Sequence, residues 1–278
     1  MNKHLREIEI IVLSDIHLGA YGCHAEELLN YLKSIKPKMV ILNGDIIDFW
    51  QFSKKNWTET NTKIVKYLLK LIGKGIPVYY LTGNHDELFR KYTGTEIGSF
   101  QIVDKLVLNI NNEKIWFFHG DVFDFTMQHA KWLTQLGSTG YDILIFLNRY
   151  INKLLNAIGR EKVSLSKKIK DSVKQAVSFI NEFEATVCDI AIQHKYDRVV
   201  CGHIHKPVIK NHDNEFGKTI YMNSGDWIEN LTSLEFDGNN WSLYNFQPTK
   251  HDESEQSSDN YSLKEIFNKI QLEILENA

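Results

Sequence analysis

The chain has 278 residues, of which 43% are hydrophobic and 24% are charged, a composition typical of a globular protein with a sizeable buried core. The net charge of −3 at pH 7 argues against nucleic-acid binding, for which a strong basic excess is usual. Three cysteines that lie far apart, Cys23, Cys188 and Cys201, fit a reducing compartment better than a disulfide framework.

No apolar run approaches the length of about 20 residues that a membrane-spanning helix needs. Residues 1–9 are polar and charged and lead directly into the first apolar run, so no signal peptide is predicted. We therefore expect a cytoplasmic protein and leave binding to a membrane surface open.

The first part of the sequence alternates between strand and helix patterns. Apolar runs at 8–13, 39–42 and 77–81 predict three buried strands. Helical periodicity over 25–35 and 58–72 predicts two amphipathic helices between them, punctuated by Pro37 and Gly73. Strand–helix–strand units in series favour an α/β fold with parallel pairing, in which functional groups lie at the carboxyl ends of strands.

The second part begins with a predicted hairpin formed by residues 100–109 and 114–119, which turns at Asn111-Asn112. Three helical stretches without a convincing strand follow, over 124–136, 141–158 and 166–194, and they predict a helical insertion. Short strands are predicted at 198–201, 208–209, 219–222, 233–236 and 241–246.

Beyond them, a polar linker over 251–259 leads to a C-terminal amphipathic helix that begins with the capping box Ser262 and Glu265. The predicted organisation is a core of residues 1–121 and 196–250, an insertion or lid over 122–195, and the linker with its helix over 251–278.

Side chains of metal-binding types follow five of the predicted strand ends. They are Asp15 and His17, Asp45, Asn84, His119, and His203 with His205. Glycine stands next to four of these positions and allows close approach of the backbone. Any one of these residues alone would more simply be a helix cap, a turn former or a buried core histidine. Their recurrence at five strand ends predicts a shared centre.

Carboxylate, amide and imidazole groups without thiolate suit manganese, iron or zinc. Seven candidate ligands exceed the need of one ion, and they divide into two sets of four if one carboxylate bridges. A pair of divalent ions activates water and clamps the oxygens of a displacement at phosphorus. The sequence therefore predicts a two-metal hydrolase of phosphoesters or phosphoanhydrides, with manganese as the expected metal and iron or zinc as alternatives.

Five motifs occur in order between residues 13 and 205: D-x-H, G-D-x-x-D, G-N-H-D, H-G-D and G-H-x-H. Together they resemble the calcineurin-like metallophosphoesterases. The resemblance implies a four-layer αββα sandwich. It assigns Asp15, His17, Asp45 and His205 to the first ion and Asp45, Asn84, His119 and His203 to the second.

The same resemblance implies roles for neighbouring residues. His85 would act near the leaving group, as proton donor or transition-state stabiliser, with Asn84 and Asp45 as the other catalytic residues. Asp48 and Asp86 would orient imidazoles by accepting a hydrogen bond from the ring nitrogen that does not bind metal, as carboxylates do around metal-bound histidine. A simple capping role is the alternative for both.

Over its whole length the chain is similar to the bacterial UDP-2,3-diacylglucosamine diphosphatases, which carry a helical insertion between H-G-D and G-H-x-H. The phrases at 119–124 and 223–227 lie where that group places them. The resemblance implies cleavage of the UDP-linked diacylated sugar to UMP and diacylglucosamine 1-phosphate, in lipid A synthesis at the inner membrane. The best-known members carry Arg where this chain has His85, a change in charge and geometry that concerns substrate identity more than chemistry.

The predicted insertion is rich in bulky apolar residues, and 143–147 is apolar on all sides. It is either a buried helical hairpin or a lining for acyl chains. Six basic residues between 160 and 174 predict contact with anionic head groups or phosphate, unless they form a solvated helix face. The candidate substrate contacts are Arg90, Asn56 and Lys167.

Two other functions stay open from the sequence. One is the same chemistry on a soluble nucleotide or phosphodiester, and the other is a non-catalytic scaffold with the same fold. A scaffold is expected to have lost a ligand, and no ligand position is lost here. The sequence indicates no oligomeric state.

Overall fold

The computed structural model describes residues 5–123 and 167–247, and within helix 167–193 it describes side chains from residue 178 onward. Several predictions lie outside these residues: the helices over 124–136 and 141–158, the linker and the C-terminal helix.

The elements are as follows, in chain order. They are β1 (Arg6–Leu13), α1 (Ala25–Ser34), β2 (Ile35–Asn43), α2 (Glu59–Gly73), β3 (Val78–Leu81), a 3-10 helix (Glu87–Tyr92), β4 (Glu96–Ile97), β5 (Phe100–Val103), β6 (Leu106–Ile110), β7 (Glu113–Phe117), a 3-10 helix (Asp121–Phe123), α3 (Lys167–Gln193), β8 (Arg198–Cys201), β9 (Val208–Asn214), β10 (Gly217–Asn223), β11 (Thr232–Phe236) and β12 (Trp241–Asn245). Within the described ranges no helix combines the length and apolarity needed to cross a bilayer.

The strands form two sheets. The first has seven strands in the order β12-β11-β1-β2-β3-β5-β4, and pairing is parallel from β1 to β5. The second has five strands in the order β6-β7-β8-β10-β9, with parallel pairing of β8 to both neighbours. Helical crossovers between parallel strands are what the strand–helix–strand pattern predicts, and the α/β fold class is confirmed.

The two sheets pack face to face around an apolar core. Its buried residues include Ile10, Val12, Ile41 and Leu81 from the first sheet and Ile115, Phe117, Val200 and Met222 from the second. Successive side chains of a strand point to opposite faces, so Ile11 and Leu13 lie on the other face of the first sheet. They are also buried, because α1 and α2 pack against β2 and β3.

Helix α3 covers the outer face of the second sheet. Phe183, Val187 and Ala191 recur at every fourth position, are fully buried, and pack with Val199 and Tyr221. Burial of a side chain such as Phe183 stabilises the fold by roughly 1.5–3 kcal/mol. The resulting order of layers, helix–sheet–sheet–helix, confirms the predicted αββα sandwich.

The structure corrects the strand predicted over 100–109. Strand β5 pairs with β3 in the first sheet, whereas β6 pairs with β7 in the second. The chain changes sheets at Asp104 and Lys105, both exposed, and apolar residues on either side hide this break. The hairpin turn itself is confirmed, since Asn111 and Asn112 have φ of 51° and 65°, as two-residue hairpin turns require.

Candidate metal centre

All seven predicted ligands follow strand ends that meet at one edge of the sandwich. Asp15 and His17 follow β1, and the others follow β2, β3, β7 and β8. Backbone hydrogen bonds join the loops: the N–H of Asp15 donates to Gly44 O at 3.1 Å, and the N–H of Gly202 donates to His119 O at 2.9 Å. The structure thus brings residues from five separate places in the chain into one cluster.

Asp15, His17 and His205 form a first group, in which one ligand atom from each residue lies within 4.8 Å of the others. His205 Nε2 lies 3.2 Å from Asp15 Oδ1. The backbone N–H of His203 donates to the same carboxylate, 3.0 Å from Oδ2. A fully buried carboxylate is therefore held between two strand-end loops.

Asp45, His119 and His203 form a second group of the same kind. His119 Nε2 lies 3.3 Å from Asp45 Oδ2, and His17 Nε2 from the first group lies 3.8 Å from that same oxygen. The other oxygen, Oδ1, accepts the N–H of His85 at 2.8 Å. Asp45 therefore faces both groups with one oxygen and is fixed by the other.

Three of the candidate ligand atoms are buried and have no hydrogen-bond partner among the described residues: His17 Nε2, Asn84 Oδ1 and His119 Nε2. Such an atom costs about 1–3 kcal/mol, so native structures rarely keep one without a function. In both histidines the second nitrogen is engaged, His17 Nδ1 by Asp48 at 3.1 Å and His119 Nδ1 by Asn43 O at 2.9 Å. Nitrogen and oxygen atoms left open beside carboxylates fit a pair of divalent cations.

Five candidate ligands have left-handed backbone conformations. The φ angles are 51° for Asp15, 53° for His17, 54° for Asp45, 67° for His203 and 49° for His205. Each such conformation costs a non-glycine residue roughly 1–3 kcal/mol and persists only where the surrounding structure holds it. Strain of this kind clusters at functional sites, and here it turns each side chain back toward the cluster.

Two glycines leave room for the ligands beside them. A Cβ on Gly83 would lie 2.2 Å from Asp45 Oδ1, and a Cβ on Gly44 would lie 2.3 Å from His119 Cγ. Both distances are far below van der Waals contact, so no other residue fits without moving a ligand.

We expect Gly83→Ala to weaken manganese binding at least about tenfold, or about 1.4 kcal/mol, because the new methyl group displaces the Asp45 carboxylate. The control is Gly73→Ala at the end of α2, where a Cβ meets nothing within 4 Å in the described part of the chain. Titration calorimetry with Mn²⁺ measures both variants. Equal affinity in the two would contradict the assignment of Asp45 as a ligand.

Carboxylates and imidazoles shift each other's pKa values within the cluster. Burial acts to raise the pKa of Asp15, but His205 outweighs it and the net shift is downward; the pKa of Asp45 is lowered in the same way by His119. Conversely, burial acts to lower the pKa of His205, and Asp15 raises it to about 9. Without metal, imidazolium–carboxylate pairs therefore hold the centre near neutral pH.

Metal binding should consequently release protons and strengthen as pH rises toward 9, because a cation must displace the proton on His205. The stability of the metal-free protein should instead decrease as pH rises. A raised histidine pKa contributes stability that is complete below the unfolded value of about 6.5 and is lost as pH rises through the folded value. Titration calorimetry in buffers of different ionisation enthalpy, with thermal unfolding in chelator, checks both. A metal affinity independent of pH would be the contrary result.

His85 is joined to the cluster through Asp48. Asp48 Oδ2 lies 2.9 Å from His85 Nδ1 and 3.1 Å from His17 Nδ1, while Oδ1 accepts the N–H groups of Trp50 and Gln51. Asp48 therefore contacts two imidazoles and also caps a turn. Burial acts to lower the pKa of His85, but Asp48 outweighs it and the net shift is upward.

Asp86 takes the capping role instead of orienting an imidazole. Its carboxylate accepts the N–H groups of Ile46 and Gly83 at 2.8 and 2.6 Å and the hydroxyl of Tyr80 at 2.6 Å. Among the described residues its hydrogen-bond partners include no imidazole. The tight loop after β3 needs its backbone amides satisfied, and this is the role that the structure gives Asp86.

The three predicted substrate contacts lie in different surroundings. Arg90 Nη2 donates to Asp121 Oδ2 at 2.7 Å, which joins the loop of Asn84 to the loop of His119. Asn56 lies in the turn before α2, where its backbone N–H donates to Ser53 O. Lys167 begins α3, and its side chain is outside the described residues. Their contacts with substrate stay predictions.

Three residues at the site were missed by sequence reasoning. The Asn43 carbonyl orients His119. The ring of Trp50 lies 4.2 Å from that of His85 and its side chain is 55% exposed. Asp226 is fully buried behind His205. The aromatic pair Phe49-Trp50, directly after Asp48, could have indicated Trp50 from the sequence. The role of the Asn43 carbonyl could not be predicted, because every residue has a backbone carbonyl.

Comparison with known proteins gives a family match and several similar proteins. The family model of the calcineurin-like phosphoesterases matches residues 8–207. UDP-2,3-diacylglucosamine hydrolase of Aliivibrio fischeri is 24% identical over 253 residues, which cover 84% of this chain and 97% of the relative. The enzyme of that name from Vibrio cholerae is 25% identical over 246 residues, 81% and 93% of the two chains. Among solved structures, YfcE, a phosphoesterase from E. coli, is 14% identical over 86% of this chain and 99% of its own, with a TM-score of 0.38.

Proposed function

The chain belongs to the calcineurin-like phosphoesterase family, and from this premise we propose that it hydrolyses the pyrophosphate of UDP-2,3-diacylglucosamine to UMP and 2,3-diacylglucosamine 1-phosphate. Family membership makes it a metal-dependent phosphoester hydrolase. The relatives named for this substrate match more than four-fifths of the chain and nearly all of their own length, which supports the substrate.

The observation that carries the proposal is that three ligand atoms, His17 Nε2, Asn84 Oδ1 and His119 Nε2, are buried without a hydrogen-bond partner among the described residues. Asp15, His17, Asp45 and His205 would hold the first ion, and Asp45, Asn84, His119 and His203 the second. When bound, two divalent ions polarise phosphoryl oxygens and lower the pKa of water enough to make it a nucleophile near neutral pH. We propose manganese as the metal, with iron and zinc as alternatives.

The protein's own residues position the reacting groups. Asp45 is fixed by the N–H of His85, so its second oxygen stays between the two groups. Burial acts to lower the pKa of His85, but its hydrogen bond with Asp48, together with the charge on Asp45, outweighs this and shifts the pKa upward, which favours the protonated form. With Nδ1 on Asp48, Nε2 is the nitrogen left to donate a proton to the departing oxygen. The Trp50 ring lies against His85 and fixes its plane.

Exposed apolar side chains on the segments that follow Asp48 and His85 in the sequence support a substrate with acyl chains. Trp50, Phe52 and Leu88 are 55%, 47% and 56% exposed. Phe52 also packs close to Gly19, just after the first ligand loop. We propose that this edge of the site works at a membrane surface, with the protein cytoplasmic and peripherally bound.

One observation favours a second function, the same chemistry on a soluble nucleotide or phosphodiester. His85 stands where the best-known diacylglucosamine diphosphatases have Arg, and a protonated histidine can serve as acid for many leaving groups. A non-catalytic scaffold is not favoured, since all seven ligand positions carry ligand side chains.

Purified protein loaded with Mn²⁺ and given UDP-2,3-diacylglucosamine in mixed micelles tests the proposal. We expect release of UMP at a rate well above that of hydrolysis of bis(p-nitrophenyl) phosphate, and no release after treatment with chelator. Failure to release UMP at any metal loading would overturn the proposal. Faster hydrolysis of the small diester without detergent would favour the second function.

A further inference from the structure

A turn after β10 lies directly behind the first ligand group. Ser224 Oγ lies 2.7 Å from Ser14 Oγ, and the N–H of Trp227 donates to Asp15 O at 3.1 Å. Asn223 Nδ2 donates to Gly202 O at 2.7 Å. The turn therefore contacts both the loop of Asp15 and the loop that carries His205.

The centre of this turn is the carboxylate of Asp226, which is fully buried. Its Oδ1 accepts the backbone N–H groups of Ile228, Glu229 and Asn230 at 2.9, 2.5 and 3.2 Å. Its Oδ2 accepts Asn230 Nδ2 at 2.5 Å and lies 4.0 Å from His205 Nδ1. Asn230 Nδ2 also donates to His205 O at 2.9 Å. Asp226 is thus a rigid acceptor fixed to the backbone of His205.

His205 differs from the two ligand histidines described above. His17 Nδ1 and His119 Nδ1 each have an oxygen acceptor, at 3.1 and 2.9 Å. His205 Nδ1 is buried and has no hydrogen-bond partner within the described residues. Its Nε2 faces Asp15. The carboxylate nearest to the open Nδ1 atom in this turn is that of Asp226.

We propose that Asp226 is the positioning residue of His205, accepting a hydrogen bond from Nδ1–H when Nε2 binds the first cation. A metal-binding histidine almost always donates its second N–H to an oxygen, which fixes its tautomer and orientation. The inference rests on the proposed function and deepens it. It concerns only one of the two ligand groups. Asp226 lies behind the Asp15–His17–His205 group and not behind Asn84 or His119.

The variant Asp226→Asn tests the proposal with little change in shape. Its amide oxygen can still accept the three backbone N–H groups, while an NH₂ group that cannot accept replaces Oδ2 beside both His205 Nδ1 and Asn230 Nδ2. We expect the affinity for one of two Mn²⁺ ions to fall about 10–100-fold and the affinity for the other to stay unchanged. Titration calorimetry and bound manganese per chain measure this.

The matched control is Asp237→Asn, in which an exposed carboxylate also caps a turn, accepting the N–H groups of Asn239 and Asn240 at 2.7 Å each. It should bind two ions with the affinities of the unaltered protein. If the unaltered protein binds no manganese, the proposed function fails; if it binds two ions and Asp226→Asn binds both equally well, only this inference fails. An equal loss of affinity for both ions in Asp226→Asn would also overturn this inference.

A second measurement needs no variant, and it tests the role of Asp226 even if Asp226→Asn does not fold. Zinc-loaded unaltered protein, labelled with ¹⁵N, should show His205 as the Nδ1–H tautomer with a proton protected from exchange. An Nε2–H tautomer, or a rapidly exchanging Nδ1 proton, would overturn the assignment.

Discussion

Asp45→Asn should reduce kcat at least about a thousandfold, a loss of about 4 kcal/mol of transition-state stabilisation, while the chain still folds. Asn has nearly the same shape and its oxygen can still accept the N–H of His85, as Oδ1 does at 2.8 Å. What it loses is the negative charge on the oxygen that faces His119 at 3.3 Å and His17 at 3.8 Å. Both proposed ions depend on that charge, so both should bind more weakly.

The measurement is kcat with saturating Mn²⁺, together with bound manganese and the thermal unfolding midpoint. Asp189→Asn on α3 is the control, since the Asp189 side chain is 62% exposed and lies against His212 and Asn214. Full activity of Asp45→Asn with two bound ions would contradict a shared carboxylate.

His85→Gln should lower kcat by about 10²–10⁴-fold with little change in metal binding, as expected for loss of a general acid. His85 contacts the cluster through its backbone N–H to Asp45, its imidazole to Asp48 and an edge contact with the His17 ring, and it belongs to neither proposed ligand set. The acid must be protonated to act. Activity of the unaltered protein should therefore fall as pH rises through the raised pKa of His85, and the Gln variant should lack this fall.

A pH profile of kcat separates the two roles considered for His85. His85→Arg restores a positive charge that stabilises the transition state but holds its proton, so we expect intermediate activity without the fall at high pH. His212→Gln in β9 is the control, as its imidazole is 25% exposed and lies beside Asp189. An unchanged kcat in His85→Gln would contradict the role of acid.

The central sheet and the positions of the ligand-bearing loops follow directly from the sequence. Strong apolar runs such as 8–13 end at polar residues, and parallel strands place those ends at one edge. The break at Asp104 and Lys105 was not predictable in the same way, because either strand alone has an ordinary apolar pattern. Only the pairing of β5 with β3 and of β6 with β7 reveals it.

Other features of the site depend on tertiary contacts that no local pattern encodes. Positive φ at His17 and Asp45 opposes intrinsic preference and is held by hydrogen bonds between loops, such as His17 N–H to Asp45 O at 3.0 Å. The role of Asp86 likewise depends on which amides surround it. Asp226 lies more than twenty residues after the last ligand, so its place behind His205 emerges only when β8 and β10 pair.

Anomalous diffraction from crystals of the manganese-loaded protein examines the two-metal centre itself. We predict two manganese peaks, with Asp45 in contact with both, Asp15, His17 and His205 at one, and Asn84, His119 and His203 at the other. A single peak, or two peaks that do not share Asp45, would contradict the proposed centre and the hydrolysis that depends on it.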